Sequence, residues 1–175
     1  MNVSPSVLQG LAAFLLLTIG QRIAELVVSS ANRRRLLARG AREFGAGHFP
    51  LLVLVHVLLP LLLVTEVLLL GAKPPASWPL WLALWLMAQG LRYWAVRTLG
   101  EQWNVRVLVV PGAPLVRSGP YRFLRHPNYL AVVLELFAGP MMFGAWRTAL
   151  AVSALNLVAL AIRVRTEERA LAHAV

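Results

Sequence analysis

The chain has 175 residues, no cysteine, 59% hydrophobic residues, a formal net charge of +10 and a mean hydropathy of +0.69. That is too apolar for an ordinary soluble domain, it gives length for about five membrane spans, and the missing cysteines exclude disulfides, thiolate metal sites and a cysteine nucleophile. The arginines sit between apolar blocks and form no single basic face interleaved with aromatics, so nucleic acid is excluded as a partner and no metal site is expected.

The spacing predicts an all-α integral membrane protein of one domain, in contact with the lipid bilayer, with spans at about 6–32, 49–70, 78–99, 127–146 and 148–165. No basic residue precedes Arg22, so the first run lacks the charged leader of a cleaved signal and is expected to be retained. Its second half places Gln21, Glu25, Ser29 and Asn32 on one face, with Arg22 in reach of Glu25. An arginine-dense loop, Arg33 to Arg42, is expected to follow, broken by Gly40, Gly45 and Gly47 and ending in His48, Phe49 and Pro50. The second span carries His56, Pro60 and Glu66. The third begins with Trp78, Trp81 and Trp85 at the headgroup level and holds Arg92 in its second half. Residues 100–125 read as a surface loop with room for a small extended hairpin before Pro111-Gly112. The fourth span carries Glu135 and a Gly139-Pro140 kink.

Thirteen of the seventeen basic residues fall at 33–42, 97–125 and the C-terminal tail, so the positive-inside rule puts the N-terminus outside and the C-terminus in the cytosol, with a bacterial inner membrane as the expected location. Arg22, Glu25, His56, Arg92 and Glu135 then fall at one depth. Ionisable groups in spans are costly and mark functional cavities, which points to a polar pocket open to the cytosolic leaflet; taken pair by pair, the same residues are helix-joining ion pairs.

The stretch Gly119-Pro120-Tyr121-Arg122-Phe123-Leu124-Arg125-His126-Pro127-Asn128-Tyr129 crowds bases, aromatics and two prolines into eleven residues. Pro127 suits the first turn of a helix, and His126, as the residue before a proline, is held extended beside the free amides of that helix. An anion fits there. Beyond the fifth span, Glu167 and Glu168 follow Arg163 and Arg165; a carboxylate can bind ribose hydroxyls or balance a sulfonium, and an arginine can fork onto a carboxylate.

GPYRFLRHPNY, a membrane hairpin and the glutamate pair together resemble the isoprenylcysteine carboxyl methyltransferase family, over roughly Leu99 to Leu171 and including the LGEQW segment. The resemblance implies S-adenosyl-L-methionine held by the equivalents of His126, Tyr129 and Glu167, with Tyr121, Arg125, Pro127 and Asn128 of the same stretch as further cofactor-binding positions. It also implies a lipophilic small-molecule acceptor entering from the membrane. QRIAELVVSSANRRRLLARGAREFGAGHFP, LVVPGAPLVRSGPYRFLRHPNY and LELF are similar to a bacterial branch that O-methylates alkylpyrones and alkylresorcinols. The longer C-terminal extension of the eukaryotic branch is not matched, so a prenylated protein is not the expected substrate, while a free isoprenylcysteine-like molecule remains an alternative.

Methyl transfer from a sulfonium needs an in-line oxygen nucleophile, with positioning and desolvation supplying most of the rate. A carboxylate or acidic hydroxypyrone needs no base; a phenol does, and Glu168, Glu25, His48 and His126 are the candidates. Arg163 or Arg165 could orient an anionic acceptor, and Glu25, Asn32 and Glu135 are expected to contact it. An NADPH-dependent membrane reductase and a non-catalytic lipid-binding protein are the competing readings.

Overall fold

The structure, a computed structural model, describes residues 3–172. It contains five α-helices: α1 (Pro5–Ala38), α2 (Phe49–Leu68), α3 (Trp78–Leu99), α4 (Pro127–Met142) and α5 (Trp146–Ala172). Two three-residue strands, β1 (Arg42–Phe44) and β2 (Val107–Val109), form a small antiparallel ribbon. The fold is thus that of an all-α membrane protein. Three helical stretches, Pro5–Ala38, Ala46–Leu68 and Trp146–Ala172, are long and apolar enough to cross a membrane. The expected count of about five is not met in full. At 16 residues α4 spans about 24 Å, less than the roughly 30 Å hydrocarbon core, while α3 is diluted by Gln89, Arg92 and Arg97.

Proline sets most of the helix starts. Pro5, Pro50, Pro79 and Pro127 each lie in a first turn, where the missing N–H breaks no hydrogen bond. Helix α5 begins Trp146-Arg147-Thr148 and has no such proline. Its free amides are served from another helix instead. Buried Glu66 of α2 accepts from the Arg147 N–H (3.1 Å), the Thr148 N–H (2.7 Å) and the Thr148 hydroxyl (2.7 Å). A carboxylate at a helix N-terminus also meets the positive end of the dipole. The turns at this end are tight: at Gly144, φ is 71° and a Cβ would lie 2.1 Å from the Lys73 carbonyl oxygen.

Helix α3 packs on α4, α4 on α5, and α5 on α2. Helix α1 adds to this group at two levels. At one end Phe14 packs on Trp85 and Phe143 and closes over Gly139, where a Cβ would come within 2.7 Å of its ring. Deeper in the helix the join is polar. Much of α1 otherwise faces outward, with Leu16 75% and Leu17 64% exposed, as expected of side chains covered by lipid.

Several boundaries differ from the sequence reading. Helix α1 runs six residues past Asn32, so Arg33, Arg34 and Arg35 lie on helix and not in a loop; Gly40, with φ 83°, follows its end. Helix α5 continues through Glu167 and Glu168, placing the glutamate pair on a helix face and not in a tail. Helix α4 ends at Met142 instead of about 146. The extended segment at 107–109 does not form a hairpin on itself. It pairs with residues 42–44 in the register Arg42 to Val109, Glu43 to Leu108 and Phe44 to Val107. Replacing Glu66 by Ala strands three donors at the start of α5. A loss of about 1–3 kcal/mol is expected, with a milder loss for Glu66→Gln. Thermal unfolding in detergent measures it, and an unchanged melting temperature in Glu66→Ala would dismiss the cap.

Candidate active site

The polar stripe of α1 lies against α3, α4 and the 100–106 loop. Arg22 pairs with Glu25 at 2.8 Å and with Glu135 at 3.1 Å; Arg92 pairs with Glu135 at 2.6 Å and with Glu25 at 3.3 Å. Two guanidiniums and two carboxylates therefore close a neutral square joining three helices. Gln21 and Gln89 complete it: Gln21 donates to Gln89 (2.8 Å) and Glu25 (3.1 Å), and Gln89 donates to Glu135 (3.1 Å). Charges this deep persist only when so paired, because each lone ion would cost several kcal/mol in a low-dielectric interior.

The rest of the stripe holds the loop. Ser29 donates to Asn104 Oδ1 (3.0 Å) and accepts from the Val105 N–H (3.1 Å), while the Asn104 amide donates to the Ser29 carbonyl (2.8 Å). Asn32 donates to the carbonyls of Trp103 (2.8 Å) and Gly100 (3.2 Å). At the surface Glu43 of β1 accepts from Arg33 (3.0 Å) and Arg106 (2.5 Å). Desolvation pushes the Glu43 carboxyl up, but the hydrogen bonds from Arg106 and Arg33 outweigh it and hold the group below the ordinary carboxylate range.

The second cluster is built by the start of α4 and the end of α5. The Tyr129 hydroxyl donates to Glu167 and accepts from Arg163 Nε at 2.7 Å. Arg163 also donates to the carbonyls of Val105 and Asn104, so its fork is spent on holding Tyr129 and the loop. The His126 and Tyr129 rings stack with centroids 5.1 Å apart, and His126 Nε2 lies 3.5 Å from Glu168 Oε1. Arg125 is exposed, with its guanidinium 4.0 Å from Glu168. Tyr121 is half-buried; burial first, and then the charge of Glu167, push its phenol above the usual range, so it stays protonated. Pro127, the first residue of α4, is buried. Arg165 is exposed, two residues from Arg163 and so on a different face of α5. His48 stands at the entry to α2 beside α5: a Cβ on Gly45 would meet both the His48 ring and the Thr166 methyl.

Between the two clusters lies a cavity of about 430 Å³. Its wall includes Arg22, Glu25 and Arg92 from the charge square, and Asn128, Tyr129 and Arg163 from the second cluster. On the remaining side it is bounded by Ile19, Ile23, Val53, Val57 and Leu61 of α1 and α2, all exposed. These two helices do not pack closely on each other, so the cavity faces lipid between them.

The segment 81–173, which takes in α4, the described part of α5 and most of α3, matches the isoprenylcysteine carboxyl methyltransferase (ICMT) family. The chain belongs to the ICMT family. Its relatives include the uncharacterized protein YpbQ of Bacillus subtilis (strain 168), 44% identical over 156 residues that cover 87% of this chain and 91% of YpbQ. An uncharacterized Haemophilus influenzae protein is 28% identical over 153 residues, covering 87% of this chain and 89% of its own. No solved structure matches the chain. The ICMT segment holds the whole second cluster, whereas α1 and α2, which supply the lipid-facing wall, lie ahead of it.

Of the residues picked from sequence, the structure joins His126, Tyr129, Arg163, Glu167 and Glu168 in one cluster and sets Asn128 on the cavity wall beside it. Glu25 and Glu135 share the charge square. Asn32 is elsewhere, its amide given to two loop carbonyls and absent from the cavity wall. Gln89, Trp103 and Asn104 were not singled out. For Gln89 a signal exists, an amide inside an apolar run three residues before Arg92 and so on the same face; for the two loop residues one sequence offers none. Because Glu135 pairs with two arginines, Glu135→Ala is expected to cost about 3–5 kcal/mol by leaving buried Arg92 and partly buried Arg22 to share the single carboxylate of Glu25. Denaturant or thermal titration of the purified variant checks this; a loss under one kcal/mol would show the square to be weakly coupled to folding.

Proposed function

We propose that this chain is an S-adenosyl-L-methionine-dependent integral membrane O-methyltransferase acting on a small lipophilic acceptor, such as an alkylpyrone or alkylresorcinol. The observation that carries this is a cavity with an apolar, lipid-facing wall at one side and the Tyr129, Arg163 and Glu167 cluster of the ICMT segment at the other.

The second cluster fits the methyl donor. Glu167 and Glu168 offer carboxylates for a sulfonium or for ribose hydroxyls, stacked His126 and Tyr129 offer aromatic faces to a cation, and buried Asn128 Oδ1 lacks a partner in the protein. Tyr121, Arg125 and Pro127 frame this site. When bound, the donor would supply an electrophilic methyl group and a neutral thioether leaving group, and the proton of a phenolic acceptor would pass to a base of the same cluster, Glu168 or His126. Arg163 orients Tyr129, and Tyr129 orients Glu167. The lipid-facing side chains exclude water from the approach of the acceptor oxygen.

The charge square favours an acceptor that carries no carboxylate. Arg22 and Arg92 are each shared by two carboxylates, so neither guanidinium is left to fork onto an acceptor carboxylate, and Arg163 is spent as well. Carboxyl methylation of an isoprenylcysteine-like substrate is therefore the second reading. The basic end of the bundle, with the ribbon and both glutamates, is assigned to the cytosolic side of a bacterial inner membrane. Labelling of introduced cysteines from outside sealed cells, expected for Ala76→Cys and not for Ala46→Cys, tests the orientation; the reverse pattern would overturn it.

The activity is tested with purified protein, labelled methyl donor and two acceptor classes. Transfer to the alkylresorcinol or alkylpyrone, together with a melting temperature raised by S-adenosylhomocysteine and not by NADPH, is the expected result. Transfer confined to a farnesylcysteine analogue would move the assignment to the second reading, and stabilisation by NADPH alone would remove the methyltransferase assignment.

A further inference from the structure

Helix α3 turns its polar residues inward and keeps a separate outward face. Gln89 and Arg92 are buried at the charge square, whereas Ala83, Leu86, Gly90, Tyr93 and Arg97 recur at helical spacing on another side, flanked by Met87 and Trp94, and all seven are exposed. Along the axis this face passes from Leu86 and Met87 to Tyr93 and Trp94, and then to Arg97 in the last turn. A helix leaving a bilayer meets acyl chains, headgroup boundary and phosphates in that order. Tyrosine and tryptophan rings prefer the boundary, and a long basic side chain reaches past it.

The segment that leads into α4 is packed on this same end. Gly119–Arg122 form a short helical turn against α3, and the fit is close: at Gly119 φ is 56°, and a Cβ there would collide with Thr98 and lie 3.1 Å from the Trp94 indole nitrogen. The next two residues, Phe123 and Leu124, face outward, Phe123 with 74% of its surface exposed. Their backbone holds them there, since both N–H groups donate to the Pro120 carbonyl (3.1 and 3.0 Å). A phenyl ring left in water forfeits its transfer free energy. The Arg122 guanidinium lies 5.9 Å from the centre of the Phe123 ring. Arg97 and Arg122 are exposed, and among the described residues neither meets a carboxylate; Arg125 is instead turned to Glu168.

We propose that Phe123 and Leu124, together with Tyr93 and Trp94, form an interfacial anchor seated at the headgroup boundary, and that Arg97 and Arg122 bind the phosphates of anionic phospholipid. The rings and the leucine meet the upper acyl chains, while the two guanidiniums offer forked donors to phosphate oxygens and are drawn to a negatively charged leaflet. A lipid surface fits this patch better than a protein does, because it continues the lipid-facing stripe of α3 without a break and its charged members are all cations. The anchor goes beyond the proposed reaction and does not rest on it. Its consequence for the second cluster is one of height: Phe123 precedes His126 by three residues, so the anchor sets how far that cluster stands from the membrane surface.

The chain has no cysteine, so a single introduced one takes a label unambiguously. Full-length protein carrying bimane at Phe123→Cys, or separately at Leu124→Cys, is reconstituted into vesicles that contain phosphatidylglycerol or phosphatidylcholine with a nitroxide on the acyl chain near the headgroup. Leu86→Cys serves as the lipid-facing reference and Ala38→Cys, at the far end of α1, as the water-facing one. Both test positions are expected to be quenched as Leu86→Cys is, and more strongly by phosphatidylglycerol. The ratio of local association constants for the two lipids should fall about fivefold with each of Arg97→Gln and Arg122→Gln in the Leu124→Cys background. Quenching at both positions no greater than at Ala38→Cys overturns the anchor, whether water or a second copy of the chain covers the turn. Equal quenching by the two lipids, unchanged in the arginine variants, overturns the phosphate contact.

Discussion

The four-charge square of Arg22, Glu25, Arg92 and Glu135 is the interaction on which the arrangement of this protein depends. Lipid gives helices no hydrophobic reason to associate, so what holds α1 to α3 and α4 must be packing and paired polar groups. Here each arginine touches both carboxylates, and two glutamines fill remaining hydrogen-bond positions. Such a set cannot slide by a turn without exposing charge to hydrocarbon. It fixes the register of α1, and thereby the position of Ser29 and Asn32 against the loop that forms the cavity wall.

The same network explains how a cavity lined in part by charged residues can remain a place for an apolar molecule. Its cations are internally neutralised, and the surface offered to a ligand is mostly aliphatic. The second cluster is kept at the other end, where the Arg163 fork fixes Tyr129 and Tyr129 engages Glu167. Cavity and cluster are thus built by different parts of the chain. The ICMT segment supplies the cluster, while α1 and α2 supply the side that meets lipid.

Much of this was legible in the sequence, and the limits have physical causes. Proline marks helix starts by local geometry, and the start of α4 followed from Pro127, while the positions of α2 and α3 followed from hydropathy. The one-face stripe of α1 and the common depth of the ionisable residues followed from helical period alone. The ends of α1 and α5 did not, because hydropathy reports where lipid stops and not where helical hydrogen bonding stops; arginine and glutamate are good helix formers, so both helices continue into water. Pairing of residues 42–44 with 107–109 joins segments more than sixty residues apart in the chain, and three-residue strands carry too little pattern to announce a distant partner. Asn32 showed the remaining limit. A polar residue on the right face can serve the backbone of a loop as readily as a ligand, and only the fold decides.

The cap that Glu66 places on α5 reaches further than the turn it closes. An α-helix resists compression along its axis, so a helix of 27 residues, about 40 Å long, conveys the position of one end to the other. Arg163 and Glu167 are fixed along that axis by a carboxylate near the opposite membrane face. A substitution in the α2–α3 or α4–α5 turn, remote from any ligand, would act on the site as a shift in length acts on the far tip of a gauge.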